Sequence, residues 1–133
     1  MKNALIVIDV QNDFCPGGAL AVDGGNEIIP LINAIWQQYD VKCLTQDWHP
    51  KGHSSFASSH KAKAPFEIIE MFYGAQTLWP DHCIMGSEGA AFHPDLETSF
   101  ANMIVRKGSN PKVDSYSAFF ENDHKTPTGL HGY

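Results

Sequence analysis

No apolar run in this chain approaches the roughly 20 residues needed to span a bilayer. Met1-Lys2-Asn3 leads straight into an apolar segment with no small-residue cleavage pattern. A membrane-embedded protein and a secretory leader are therefore not expected, and the cytoplasm is the expected compartment. Basic residues are also few, with 9 Lys and Arg against 15 Asp and Glu for a formal net charge of −6, and they form no cluster. Nothing here would release counterions from phosphate, which argues against nucleic acid or an anionic membrane as partner and favours a small neutral ligand. Cysteine is scarce: Cys15, Cys43 and Cys83 are odd in number and without C-x-x-C spacing, the pattern of reduced thiols rather than of a disulfide framework. There is no internal repeat, low-complexity tract or linker, so the 133 residues are read as one domain. A chain of that size buries roughly two thirds of its unfolded surface. The apolar share of 43 % and charged share of 18 % are those of an ordinary globular protein.

What is present is an α/β pattern. Ala4 to Val10 is apolar on both faces and rich in β-branched residues, as in a central strand covered on each side by helices. Asn12 to Gly25 carries two turn signals, Pro16-Gly17-Gly18 and Asp23-Gly24-Gly25, and reads as a loop with room for a short hairpin. Between Glu27 and Tyr39, Ile28, Leu31, Ile32, Ile35 and Tyr39 recur at helical spacing, with Pro30 placed in the first turn. Val41 to Thr45 and Asn102 to Arg106 read as two further strands. The stretch from Trp48 to His93 reads as a long loop, and such loops are more often functional than idle. Thr128 has the look of an N-cap. Strand, helix, strand, long loop, strand gives three parallel strands and predicts a doubly wound, mainly parallel sheet flanked by helices. Such sheets usually carry five or six strands, so the domain is expected to be incomplete at its C-terminus.

Asp9, Asp47 and Lys107 each fall at the C-terminal end of a different predicted strand, the edge along which open α/β sheets place their ligands. Asp9, embedded in an apolar run, suits either a general base with a lysine partner or a structural ion pair. Asp47-x-His49, with His53 and His82, offers one carboxylate and up to three imidazoles, a donor set for Zn²⁺, Fe²⁺ or Mn²⁺. The alternative is a group of loop histidines hydrogen-bonded to backbone. Cys43 reads as core, and neither Cys15 nor Cys83 has a helix N-terminus beside it to activate the thiol.

Four segments in order then carry a resemblance: Asp9-Val10-Gln11-Asn12-Asp13-Phe14, Asp47-Trp48-His49-Pro50 with His53 and Phe56, Leu78-Trp79-Pro80-Asp81-His82-Cys83, and Lys107-Gly108 with Asp114-Ser115-Tyr116-Ser117-Ala118-Phe119. Together they resemble the nicotinamidases, pyrazinamide-hydrolysing members of the isochorismatase-like cysteine hydrolases. The resemblance implies an isochorismatase-like fold and a metal-dependent amidase that converts nicotinamide to nicotinate and ammonia in NAD salvage, with one divalent ion as cofactor. It implies Asp9 as general base and Lys107 as its catalytic partner, Asp47, His49 and His82 as metal ligands, and His53 as a further or water-bridged ligand. Phe14, Trp79 and Tyr116 are implied to line the nicotinamide ring. In that family the nucleophilic cysteine follows a later strand, in a Gly/Ala-Thr-Asp-Tyr-Cys-Val type turn, and no such turn occurs in these 133 residues. The expectation is therefore an N-terminal part of the domain, truncated before the catalytic-cysteine strand and inactive alone. The remaining readings are a non-catalytic module that binds metal and nicotinamide, and a sister hydrolase of isochorismate or an N-carbamoyl substrate. The Asp-Trp-His segment disfavours the sister hydrolase, and a homo-oligomer is left open.

Overall fold

A computed structural model describes residues 2–133. The apolar segments become strands β1 (Ala4–Val7), β2 (Val41–Asp47) and β5 (Met103–Lys107), which pair in parallel in the order β1-β2-β5. The register sets Val7 beside Leu44, and Asp47 beside Lys107. This alignment brings the polar strand ends to one edge of the sheet. The expected parallel α/β architecture is present.

Alternation along the strands divides the core between the two sheet faces. Leu44 points to the face covered by Ile29 and Ile32 of α1 (Ile29–Ile35), together with Leu96 and Phe100. Cys43 and Val105 point to the other face, under Ala118 and Leu130. Pro30 lies in the first turn of α1, where its missing N–H costs nothing. The helix buries Ile29 and Ile32 and leaves Ile28 and Leu31 exposed, so its buried stripe is rotated from the expected one. It tightens into a 3-10 turn (Trp36–Gln38) before Tyr39 becomes extended.

Two expectations are corrected. The first strand ends at Val7 rather than Val10, and it is not covered on both faces: Ile6 is 38 % and Ile8 49 % exposed. The long loop holds an antiparallel hairpin, β3 (Ile68–Met71) and β4 (Gly74–Thr77), that sequence reading missed. Its outer residues Ile68 and Phe72 stand in solvent, so burial left no alternating signature in that stretch. Thr128 precedes only a 3-10 turn, Leu130–Gly132. Among the described residues no helix is long and apolar enough to cross a membrane.

Candidate active site and metal centre

β1 hands the chain to Asp9 through Ile8, and Asp9 adopts a left-handed φ of 51° that turns its carboxylate back over the sheet edge. Thr45 holds it from both sides. Its hydroxyl accepts from the Asp9 backbone N–H (3.1 Å) and donates to Asp9 Oδ1 (2.6 Å). The end of β2 is fixed by Gln11, a fully buried side chain that pairs with the Asp47 backbone as a neighbouring strand would. Gln11 Oε1 accepts from Asp47 N (2.7 Å), and Gln11 Nε2 donates to Asp47 O and Ala90 O (each 2.8 Å).

Lys107, at the end of β5, is buried and spends its ammonium on three acceptors: Asp9 Oδ2 at 2.8 Å, Asp47 Oδ1 at 3.2 Å and Ser115 O at 2.8 Å. Burial alone would lower its pKa, but the charges of Asp47 and Asp9 outweigh that and raise it. Burial likewise opposes the charge on Asp47, yet its hydrogen bonds with His49 and His82 and the charge of Lys107 hold its carboxyl well below the usual range.

Asp47, His49 and His82 are all buried, and one donor atom from each lies within 4.8 Å of the others. The outer nitrogens explain why these rings face inward. His49 Nδ1 sits 2.9 Å from Gly108 O and His82 Nδ1 2.7 Å from Pro80 O. A carbonyl only accepts, so each Nδ1 carries a proton, and each Nε2, 3.1 and 3.4 Å from Asp47 Oδ2, donates to that carboxylate when the ring is charged or offers a lone pair to a cation when it is neutral. With both rings neutral, three acceptors converge on one point, and a cation between them would satisfy all three. The two carboxylate–imidazole distances, 3.1 and 3.4 Å, are close to the roughly 3.4 Å separating ligands about 2.1 Å from a tetrahedral zinc. Burial disfavours charge on His49, but the hydrogen bond and charge of Asp47, with Asp114 beyond, raise its pKa overall. A proton on His49 thus offsets part of the demand that a metal ion would meet.

His53 is not brought into that group. Its Nδ1 accepts from Ser55 N (3.1 Å) and lies 2.8 Å from Ser55 Oγ, and its Nε2 donates to Asn110 O (2.7 Å). Both nitrogens are engaged, and the ring packs 4.4 Å from that of His49, centroid to centroid. The His53 ring thus stands as a wall against His49, with neither nitrogen directed at Asp47 or His82.

Gly108 makes the close approach possible. Its φ is +69°, and a Cβ there would lie 2.5 Å from His49 Cε1 and 2.8 Å from His49 Nδ1. Gly108→Ala is expected to cost about 1–3 kcal/mol of stability and to weaken metal binding about 10–100-fold by pushing His49 off its carbonyl. Urea melts and a zinc titration of the variant check both effects.

A cavity of about 220 Å³ opens beside these groups, walled by Asp9, Lys107, Asp47, His82, Phe14, Trp79 and Tyr116. Phe14 tilts against His82, and Trp79 meets Tyr116 edge to face with centroids 6.0 Å apart. Asp114 and Ser115, part of the fourth segment but given no role from sequence, line the same wall. Asp114 Oδ1 lies 3.6 Å from His49 Nε2, but an acid in a polar loop carries no signal of that placement. The three cysteines are buried and none lines the cavity; burial, then the charges of Asp47, Asp13 and Asp9, push the Cys83 thiol far up.

Comparison with known proteins adds relatives to this geometry. Residues 3–126 match the isochorismatase domain family. The chain is 54 % identical to the nicotinamidase of Acinetobacter baylyi over 98 % of its own length and 61 % of that relative's. It superposes on an Acinetobacter baumanii nicotinamidase/pyrazinamidase with a TM-score of 0.95 at 56 % identity, covering 98 % of this chain and 63 % of the other. A Pyrococcus horikoshii pyrazinamidase solved in complex with zinc superposes at 0.65 with 34 % identity, covering 87 % and 57 %. The chain thus spans less than two thirds of the length of each of these relatives.

Proposed function

The chain belongs to the isochorismatase domain family, and within it we propose that its site binds nicotinamide as the substrate of an amide hydrolysis yielding nicotinate and ammonia, a step of NAD salvage. The carrying observation is the single cavity on which the Asp9–Lys107 pair, the Asp47–His49–His82 group and three aromatic rings meet. The similarity to nicotinamidases supports the same substrate.

In this reading Asp9 is the general base. Asp9 lines the cavity, with Oδ1 held by Thr45 and Oδ2 paired with Lys107 Nζ, so its carboxylate is kept in a set orientation beside a bound proton donor. Lys107 balances the charge of Asp9 and of an anionic nucleophile approaching it. Asp47, His49 and His82 hold one divalent ion, for which zinc is the first candidate and iron or manganese the others. When bound, that ion supplies an electrophilic centre that anchors the pyridine nitrogen and polarises water. Phe14, Trp79 and Tyr116 hold the flat ring by stacking and exclude water from it. With no thiol on the cavity wall among residues 2–133, these residues alone are expected to bind without turnover.

Calorimetric titration of nicotinamide into the zinc-loaded chain tests the reading. A Kd of about 1 mM or tighter is expected, with benzamide, which lacks the ring nitrogen, bound at least about tenfold more weakly, a difference of about 1.4 kcal/mol. Ammonia release should stay at background. Absence of nicotinamide binding, or equal affinity for benzamide, would overturn the proposal.

A further inference from the structure

The exposed hairpin β3–β4 buries one polar side chain, Gln76, completely. Its outer residues Ile68 and Phe72 are 67 % and 77 % exposed, so packing does not explain the hairpin's presence beside the site. The hydrogen bonds of Gln76 do. Its Nε2 donates to the Tyr116 hydroxyl at 2.7 Å and lies 3.2 Å from Asp114 Oδ2. Its Oε1 accepts from Tyr73 OH (2.9 Å) and Asn122 Nδ2 (3.2 Å).

Those contacts reach Tyr116 by two routes. The first is direct, through the hydroxyl, which also accepts from Trp79 Nε1 at 3.1 Å. The second runs through Asn122, whose Oδ1 accepts from the Tyr116 backbone N–H at 3.0 Å. Tyr116 is 53 % exposed, and packing alone would leave its ring free to swing. A glutamine can serve both routes because it carries donors and an acceptor on one planar group. A glutamate would set a second carboxylate against Asp114 and offer the Tyr116 oxygen no donor.

We infer that Gln76 is a positioning residue for the aromatic wall of the cavity, fixing Tyr116 at hydroxyl and backbone and, through the Tyr116 hydroxyl, the indole of Trp79. The assignment rests on the reading that this wall holds a flat heteroaromatic amide. Gln76 itself does not line the cavity; it acts through the two rings that do.

The test compares Gln76→Met, Tyr116→Phe and the double variant with the unaltered chain. The readouts are the Trp79 indole N–H resonance without ligand, the nicotinamide Kd and the zinc Kd. Gln76→Met should move the Trp79 resonance in the same direction as Tyr116→Phe. It should weaken nicotinamide about three- to tenfold, the worth of one net hydrogen bond, and leave zinc affinity unchanged. In the Tyr116→Phe background the same substitution should leave the Trp79 resonance where Tyr116→Phe put it and weaken nicotinamide less than in the unaltered chain, because only the route through Asn122 remains to be lost. An unmoved Trp79 resonance, or equal weakening of nicotinamide in both backgrounds, would overturn the inference. Should Gln76→Met fail to fold, Tyr116→Phe carries the test through the Gln76 side-chain NH₂ resonances, which must move if the two groups are bonded. If the unaltered chain takes up no nicotinamide, the functional reading falls while the ligand-free resonances still decide the role of Gln76.

Discussion

Asp47→Asn is expected to lower zinc affinity more than a hundredfold and to abolish the thermal stabilisation that zinc confers. The carboxylate is the one anion among the three donors, and its Oδ2 is the atom that both Nε2 atoms face. An amide supplies a neutral oxygen, or turns an NH₂ donor toward the imidazoles and satisfies them without a cation. Free zinc at 100 times its Kd adds about 2.7 kcal/mol to folding by mass action, about 10 °C in the midpoint of a domain this size. Thermal melts with and without zinc should show that shift in the unaltered chain and in Asp95→Asn, an exposed control. The shift should be absent in Asp47→Asn. Without metal the variant should remain folded, because Lys107 keeps Asp9 and Ser115 O as partners. An undiminished zinc shift in Asp47→Asn would remove this carboxylate from the metal site.

The parts of this architecture that could be read from sequence are those that burial writes into a local pattern. Leu44 and Cys43 face opposite cores, and that two-sided demand produces the apolar run of β2. Pro30 and the spacing after it mark α1, although Ile29, not Ile28, turned out to be buried. Strand ends aligned by register brought Asp47 beside Lys107, with Asp9 facing both. The hairpin stayed hidden because solvent on its outer side imposes no alternation. Long-range polar partners stayed hidden for another reason. Gln11 bonds residues 36 and 79 positions away, and Gln76 reaches Tyr116 40 positions on, while nothing in a glutamine's immediate neighbours encodes either. His53, expected as a further or water-bridged ligand, shows a different gap, because spacing does not encode where a ring nitrogen points. Its nitrogens point to Ser55 and Asn110.

Lys107→Met should be the most damaging single change to folding, costing about 3–5 kcal/mol in the metal-free chain. Methionine matches the lysine stem in length but leaves the Asp9 and Asp47 carboxylates facing each other without a cation, and leaves the Ser115 carbonyl without its donor. If like-charge repulsion is the cause, neutralising one acid must relieve it. Lys107→Met/Asp9→Asn should therefore be more stable than Lys107→Met alone, with a coupling of about 0.5–3 kcal/mol. The pH dependence supplies a second signature. The folded state raises the Lys107 pKa, so the lysine's contribution is fully present below its unfolded value near 10.4 and is lost as pH rises through the folded one. The gap between the unaltered chain and Lys107→Met, followed by urea melts in chelator, should stay constant from neutral pH to about 10 and narrow above it. A constant gap across the alkaline limb, or a double variant no better than the single, would mean that the lysine stem rather than its charge holds this corner of the fold together.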